Sequence, residues 1–137
     1  MKAAPAKPVG YSGTPLPKRL GIKEATRVAL VGAPPGFSVG ALPLGAVVRR
    51  GARGKADLTL WFVRSVRELA SGSRAMVPRS EGSGLWIVWA KKTSPLASDV
   101  TETDVRRVAL AAGMVDFKIC AVDHDWSGLR FNRRKPA

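Results

Sequence analysis

Two pairs of cations stand where their chemistry and their expected position agree. Arg49-Arg50 and Lys91-Lys92 each follow a short apolar run. Guanidinium and ammonium groups hold phosphates and carboxylates, and open α/β sheets collect ligands just beyond the carboxyl ends of their strands. If both runs are parallel strands, Arg49, Arg50, Lys91 and Lys92 form one cationic rim. Arg130, Arg133 and Arg134, on the last strand expected, extend that surface. Trp126 offers a ring that either stacks on a base or closes the end of the core. The predicted partner is a phosphate-bearing anion, nucleic acid foremost, held through its backbone without sequence readout.

Other residues invite chemistry less convincingly. Asp123, His124, Asp125 and Ser127 lie in one expected turn, whereas a hydrolytic triad draws its members from separate elements. Asp and Ser are ordinary turn residues whose side chains bond nearby backbone N–H groups. Gly32 to Gly36 resembles a phosphate turn, but no Lys-Ser or Lys-Thr pair follows it, so it is no P-loop. Asp57 is expected at the start of a strand, the end away from ligands. Cys120, the only cysteine, reads as a small apolar strand residue, and His124 is the only histidine. Multi-histidine zinc sites and paired-cysteine ribbons are therefore excluded within this chain. Neither a metal nor a cofactor is expected.

The elements that must position these residues follow from pattern. Leu85 to Trp89 is a continuous apolar run after Gly82-Ser83-Gly84, as in a strand covered on both faces. Strands are predicted near residues 27–32, 46–50, 57–63, 85–90, 115–122 and 129–133. In the fifth, Phe117, Ile119 and Ala121 alternate with Lys118, Cys120 and Val122. Thr14 as N-cap, Pro15 at the first helical position and Gly21 as stop predict a short helix with Leu16 and Leu20 inward. Ser65 with Glu68 forms a capping box opening a helix with Val66, Leu69 and Ala70 inward. Gly72 and Ser73 weaken it, and Pro78 marks its latest end. Thr101 and Asp104 start another helix, in which Val105, Val108, Ala109 and Ala112 share one face and Gly113 is the stop.

Three strands, a helix, a strand, a helix and a hairpin give a three-layer, mostly parallel α/β sheet with a C-terminal antiparallel hairpin. Residues 1–13, rich in Pro, Ala and Lys, are expected to be a flexible basic tail, and residues 14–137 one compact domain. The 23 Lys and Arg against 10 Asp and Glu leave a net charge of +13, a field that draws anionic partners. The alternative is that the charge serves solubility and the chain is a protein–protein adaptor using the hairpin with Trp126. No apolar run approaches the roughly 20 residues of a membrane span. The opening MKAAPAKPVGYSG lacks the apolar region of a signal peptide, so a cytoplasmic protein is expected.

Several segments resemble one family closely: GYSGTPLPKRLGIK (10 to 23), RVALVGAPPGF (27 to 37), ARGKADLTLWFV (52 to 63), LWIVWAKK (85 to 92) and DVTETDVRRVALAAGMVDFKICAVDHDWSGLRFNRR (99 to 134). They resemble the domain of unknown function 3052 family of short bacterial proteins, a likeness that implies no particular activity. More distantly, the Rossmann-like layout is similar to the class I methyltransferase sheet, with a glycine turn after the first strand and a final hairpin. That resemblance implies S-adenosylmethionine binding, and two departures oppose it. Pro34 and Pro35 lack the N–H groups such a turn offers, and Arg49-Arg50 stand where those enzymes place a ribose-binding acid. The expectation is a non-enzymatic binding domain, with a divergent or degenerate methyltransferase-like protein as the alternative.

Overall fold

The computed structural model describes residues 14–80 and 84–133. The expected tail at 1–13 and Arg134 lie outside the described residues. Six strands form one sheet: β1 (Arg27–Val31), β2 (Val47–Arg50), β3 (Leu58–Phe62), β4 (Gly84–Ala90), β5 (Met114–Ala121) and β6 (Trp126–Arg133). Their order is β2-β1-β3-β4-β6-β5, with every pair from β2 to β4 parallel and both pairs of β6 antiparallel. The α/β sheet read from the sequence, mostly parallel and ending in a hairpin, is the one observed.

Each face has its own core. On one side α1 (Leu16–Leu20) and the segment after β1 cover Val28, Leu30, Leu58, Leu60, Phe62, Trp86 and Val88. The Trp86 indole N–H donates to the Leu20 carbonyl at 2.9 Å and ties α1 to the centre of the sheet. On the other side α2 (Val66–Met76) and α3 (Glu102–Ala111) bury Leu69, Val105, Val108 and Ala109 against Trp61, Leu85, Ile87, Leu129 and Phe131. At roughly 1.5–3 kcal/mol per large buried apolar side chain, these central strands dominate stability.

The local sequence explains most boundaries. Thr101 and Asp104 form a reciprocal capping box, and Gly113 follows α3 with φ +94°. Ser65 accepts from the Glu68 N–H at 2.9 Å, while the Glu68 carboxylate takes the N–H of Arg64, not of Ser65. Gly72 is tolerated in α2 because the helix presses on Trp61. A Cβ there would come 2.6 Å from Trp61 Cζ2.

Three local expectations are corrected. Pro15, not Thr14, is the N-cap of α1, and no side chain caps that helix. Ala70 is exposed, and the inward position after Leu69 goes to Ser73, one turn on. The last strand begins at Trp126, three residues early, because Trp126 pairs with Ala90 and buries its ring. Separately, β5 carries an irregularity of register between Asp116 and Lys118, and beyond it Cys120 is buried and Ile119 exposed, in the expected alternation.

The β1–β2 side is built differently. A parallel pair needs a crossover connection, usually a helix, yet residues 32–46 contain none. They cover the sheet with Phe37 and Val39, with Ala33 and Ala46 partly buried beside them. The return from β2 to β3 is shorter still, passing residues 51–57 over the α2 side of β1. Arg49 donates to the Lys55 carbonyl at 2.9 Å, and Arg79 binds the Ala52 carbonyl and Thr59 Oγ1. Arginine side chains fasten these two connections where helices would pack.

Candidate functional site

Because β2, β1, β3 and β4 run parallel, Arg50, Gly32, Arg64 and Lys91 all lie at or just past one end of the sheet, the end where such folds bind ligands. The loop after β1 leaves the strand at Gly32, whose φ is +75° and whose position leaves no room for a side chain. A Cβ would sit 2.9 Å from the Phe62 carbonyl oxygen. The loop then wraps the Arg50 guanidinium. Nη1 donates to the Ala33 and Pro34 carbonyls at 3.3 and 3.1 Å, and Nη2 to those of Pro35 and Phe37 at 3.1 and 3.0 Å. Four carbonyls converge on one cation, so the prolines cost no needed N–H here. The turn presents acceptors inward, the reverse of a phosphate cradle.

Between the ends of β1, β3 and β6, three aromatic rings pack together, and a pocket of about 210 Å³ opens beside Phe37 and Trp126, lined also by Pro34, Leu96 and Asp125. Phe37 and Phe62 meet edge to face at 4.8 Å between centroids, and Phe62 and Trp126 do so at 5.1 Å. Trp126 is only 5% exposed. Of its two roles read from the sequence, the structure places it as a cover over the core. Its ring is packed, not offered for stacking.

The structure separates the cations that the sequence grouped. Arg49 shares a register with Ala29 and Thr59 and so projects to the α2 face, opposite Arg50. Its Nε and Nη2 are enclosed without a hydrogen-bond partner. Lys91 donates its backbone N–H to the Asp125 carbonyl at 2.8 Å and is half-buried, and Lys92 is exposed. With β1 and β3 between them, the ends of β2 and β4 lie roughly 14 Å apart. Arg130 pairs with Trp86 and Arg133 with Met114, toward the other end of the sheet. Neither joins the rim. Arg130 packs beside Gly21 and Gly84, and burial lowers its pKa from the usual arginine value.

Arg64 belongs to this end and was missed. It is exposed, lies two residues past β3, and reaches Gly32 with its guanidinium. The signal was the one that marked Lys91, a cation closing an apolar run, but the capping box drew attention to the helix that follows.

The remaining candidates are structural in their contacts. Asp123 Oδ1 accepts the N–H groups of Asp125 and Trp126 at 2.8 and 2.9 Å, and Asp125 accepts the Ser94 hydroxyl at 2.8 Å. Ser127 sits in β6 opposite Trp89, and His124 is exposed. Among the described residues no hydrogen bond links the histidine to a nucleophile. Asp57 bonds the backbone and side chain of Arg27 at the far end of the sheet, the strand-start role expected. Cys120 is buried, its thiol pKa pushed up chiefly by desolvation, with Arg19 Nη1 3.3 Å from the sulfur. Among the described residues no group of three or more His, Cys, Asp or Glu could hold a metal ion, and no helix is long and apolar enough to cross a membrane.

No protein-family model and no curated protein matches the chain. Among solved structures, the crystal structure of a SAM-dependent methyltransferase from Aquifex aeolicus is similar, with a TM-score of 0.52 at 16% identity over 83% of this chain and 85% of that one. At that identity the likeness is one of fold. The chain carries a methyltransferase-like α/β sheet with a carbonyl-clasped arginine and three packed rings at the carboxyl end of its parallel strands.

Proposed function

We propose that the protein is a non-catalytic binding domain whose cations at the carboxyl end of the sheet engage a phosphate-bearing partner, nucleic acid foremost. The observation that carries this reading is the state of Arg64 and Lys92. Both are exposed at the ends of the adjacent strands β3 and β4, and neither has an ion pair among the described residues. Arg27, Arg106 and Arg107, by contrast, are each held in ion pairs. Lys91 adds a third cation, and Arg49 and Arg50 supply positive charge on the flank. A spread of roughly 14 Å corresponds to about four nucleotide steps, so a polyanion bridges both flanks where a single phosphate cannot. Such contacts give affinity without base readout.

Filter binding of short RNA and DNA tests the reading. With three phosphate contacts on a single strand, affinity should fall about 20-fold between 50 and 200 mM salt, with little sequence preference. No retention at low salt would end it.

The fold neighbour favours a second reading, a SAM-dependent protein. Against it stand the inward carbonyls of residues 33–37 and Arg50 in place of an acid. Calorimetric titration with S-adenosylmethionine should give no binding heat. Micromolar affinity would reverse the preference.

A further inference from the structure

The helix-free crossover leaves an open cavity of about 470 Å³ on the α1 side of β1 and β2, within the range of small-molecule sites. Leu30 and Val48 form its floor, and Phe37, Val39 and Leu42 come from the crossover segment. Arg50 is the one charged residue that lines it. The guanidinium is fixed, because its two Nη nitrogens hold the four carbonyls of residues 33–37. Its remaining N–H, on Nε, donates to no protein group among the described residues. Leu42, 37% exposed, stands at the mouth. A half-open pocket whose lining is part apolar and part polar, with one immobilised cation and one spare donor, selects by charge as well as shape.

We propose that this cavity binds a small amphipathic carboxylate, its apolar body against Leu30, Val39 and Val48 and its single negative charge beside Arg50. One cation with one free donor matches a monoanion. A phosphate dianion would call for more donors than Arg50 has left. The carbonyl clasp preorganises the guanidinium, so little side-chain entropy is lost on binding. Arg50 also supplies flank charge in the nucleic-acid reading, but the pocket lies apart from the rim cations of β3 and β4 and does not depend on that reading.

Titrations of octanoate, and of 1-octanol as its uncharged counterpart, into the ¹⁵N-labelled full chain decide the matter. Octanoate should shift the amides of residues 37–42 and 48–50 to saturation, with octanol at least fivefold weaker. Leu42→Trp blocks the mouth and Val48→Phe fills the floor. Each should weaken octanoate at least tenfold while the amides of β4 keep their positions. Equal binding of octanol would show that the charge is not read, and undiminished binding to both variants would place the ligand elsewhere. Shifts that do not saturate would mean that no site exists. Any of these three results overturns the proposal.

Discussion

The two sides of the sheet solve one problem by different means. In the centre, β3 and β4 are buried on both faces, covered by α1 on one side and α2 and α3 on the other. On the β1–β2 side, connections without helices cross the sheet, and arginines hold them by their backbone carbonyls. The first arrangement draws on apolar burial and tolerates few changes. The second draws on charge-assisted hydrogen bonds at the surface, which water can partly replace. The polar side is therefore the one free to be remodelled, and it is there that the chain departs from what a cofactor turn requires.

That contrast is sharpest when one residue on each side is removed. Trp86→Ala, in the fully covered centre, should cost about 3–5 kcal/mol in urea denaturation, since it empties a large site and breaks the bond to Leu20. Arg50→Met should cost about 1–2 kcal/mol and raise amide exchange in residues 32–42 while leaving β4 protected. A loss as large as that of Trp86→Ala would erase the distinction between the sides.

Arg49→Met sharpens it further. Arg49 trades one bond to Lys55 for two enclosed N–H groups without partners, so its removal should change stability by no more than about 0.5 kcal/mol. Neighbours in sequence, Arg49 and Arg50 should thus differ severalfold in the same denaturation assay. Equal losses would mean that the carbonyl clasp has no special weight.

This pair also marks the limit of what was legible. Apolar runs, capping boxes and glycine stops disclosed all six strands and the helices, because those signals are local and few alternatives satisfy them. The sequence also showed that Pro34 and Pro35 oppose a cofactor turn. It did not show that Arg50 answers their carbonyls, because a contact between residues 33–37 and residue 50 depends on the β1–β2 register. Strand alternation did imply that Arg49 and Arg50 face opposite ways, yet they were grouped by type. Arg130 and Arg133 were joined to the rim for the same reason, although an antiparallel strand carries its last residues to the opposite end.

The smallest effect expected is in acid. The Arg27 side chain and backbone hold Asp57 below the usual carboxylate range, and Thr101 and then Arg107 do the same for Asp104. A depressed folded-state pKa stabilises above the unfolded value of about 3.9 and is lost as pH falls through the lower folded value. Asp57 is exposed and Asp104 partly so, and solvent screens both, so the loss below about pH 4 should be slight. Asp57→Asn and Asp104→Asn should each flatten the denaturation midpoint between pH 2 and 5, and an unchanged profile would remove these groups from the account.

The central claim, that cations at the carboxyl end of the sheet hold a polyanion, is tested most directly by the salt dependence of nucleic-acid binding in a Lys91→Glu, Lys92→Glu variant. Removing two of three single-strand contacts should weaken binding at low salt and reduce the slope of log affinity against log salt from about 2 to below about 1 in magnitude. An affinity and slope equal to those of the unaltered protein would contradict the claim, and the rim would not be the binding surface.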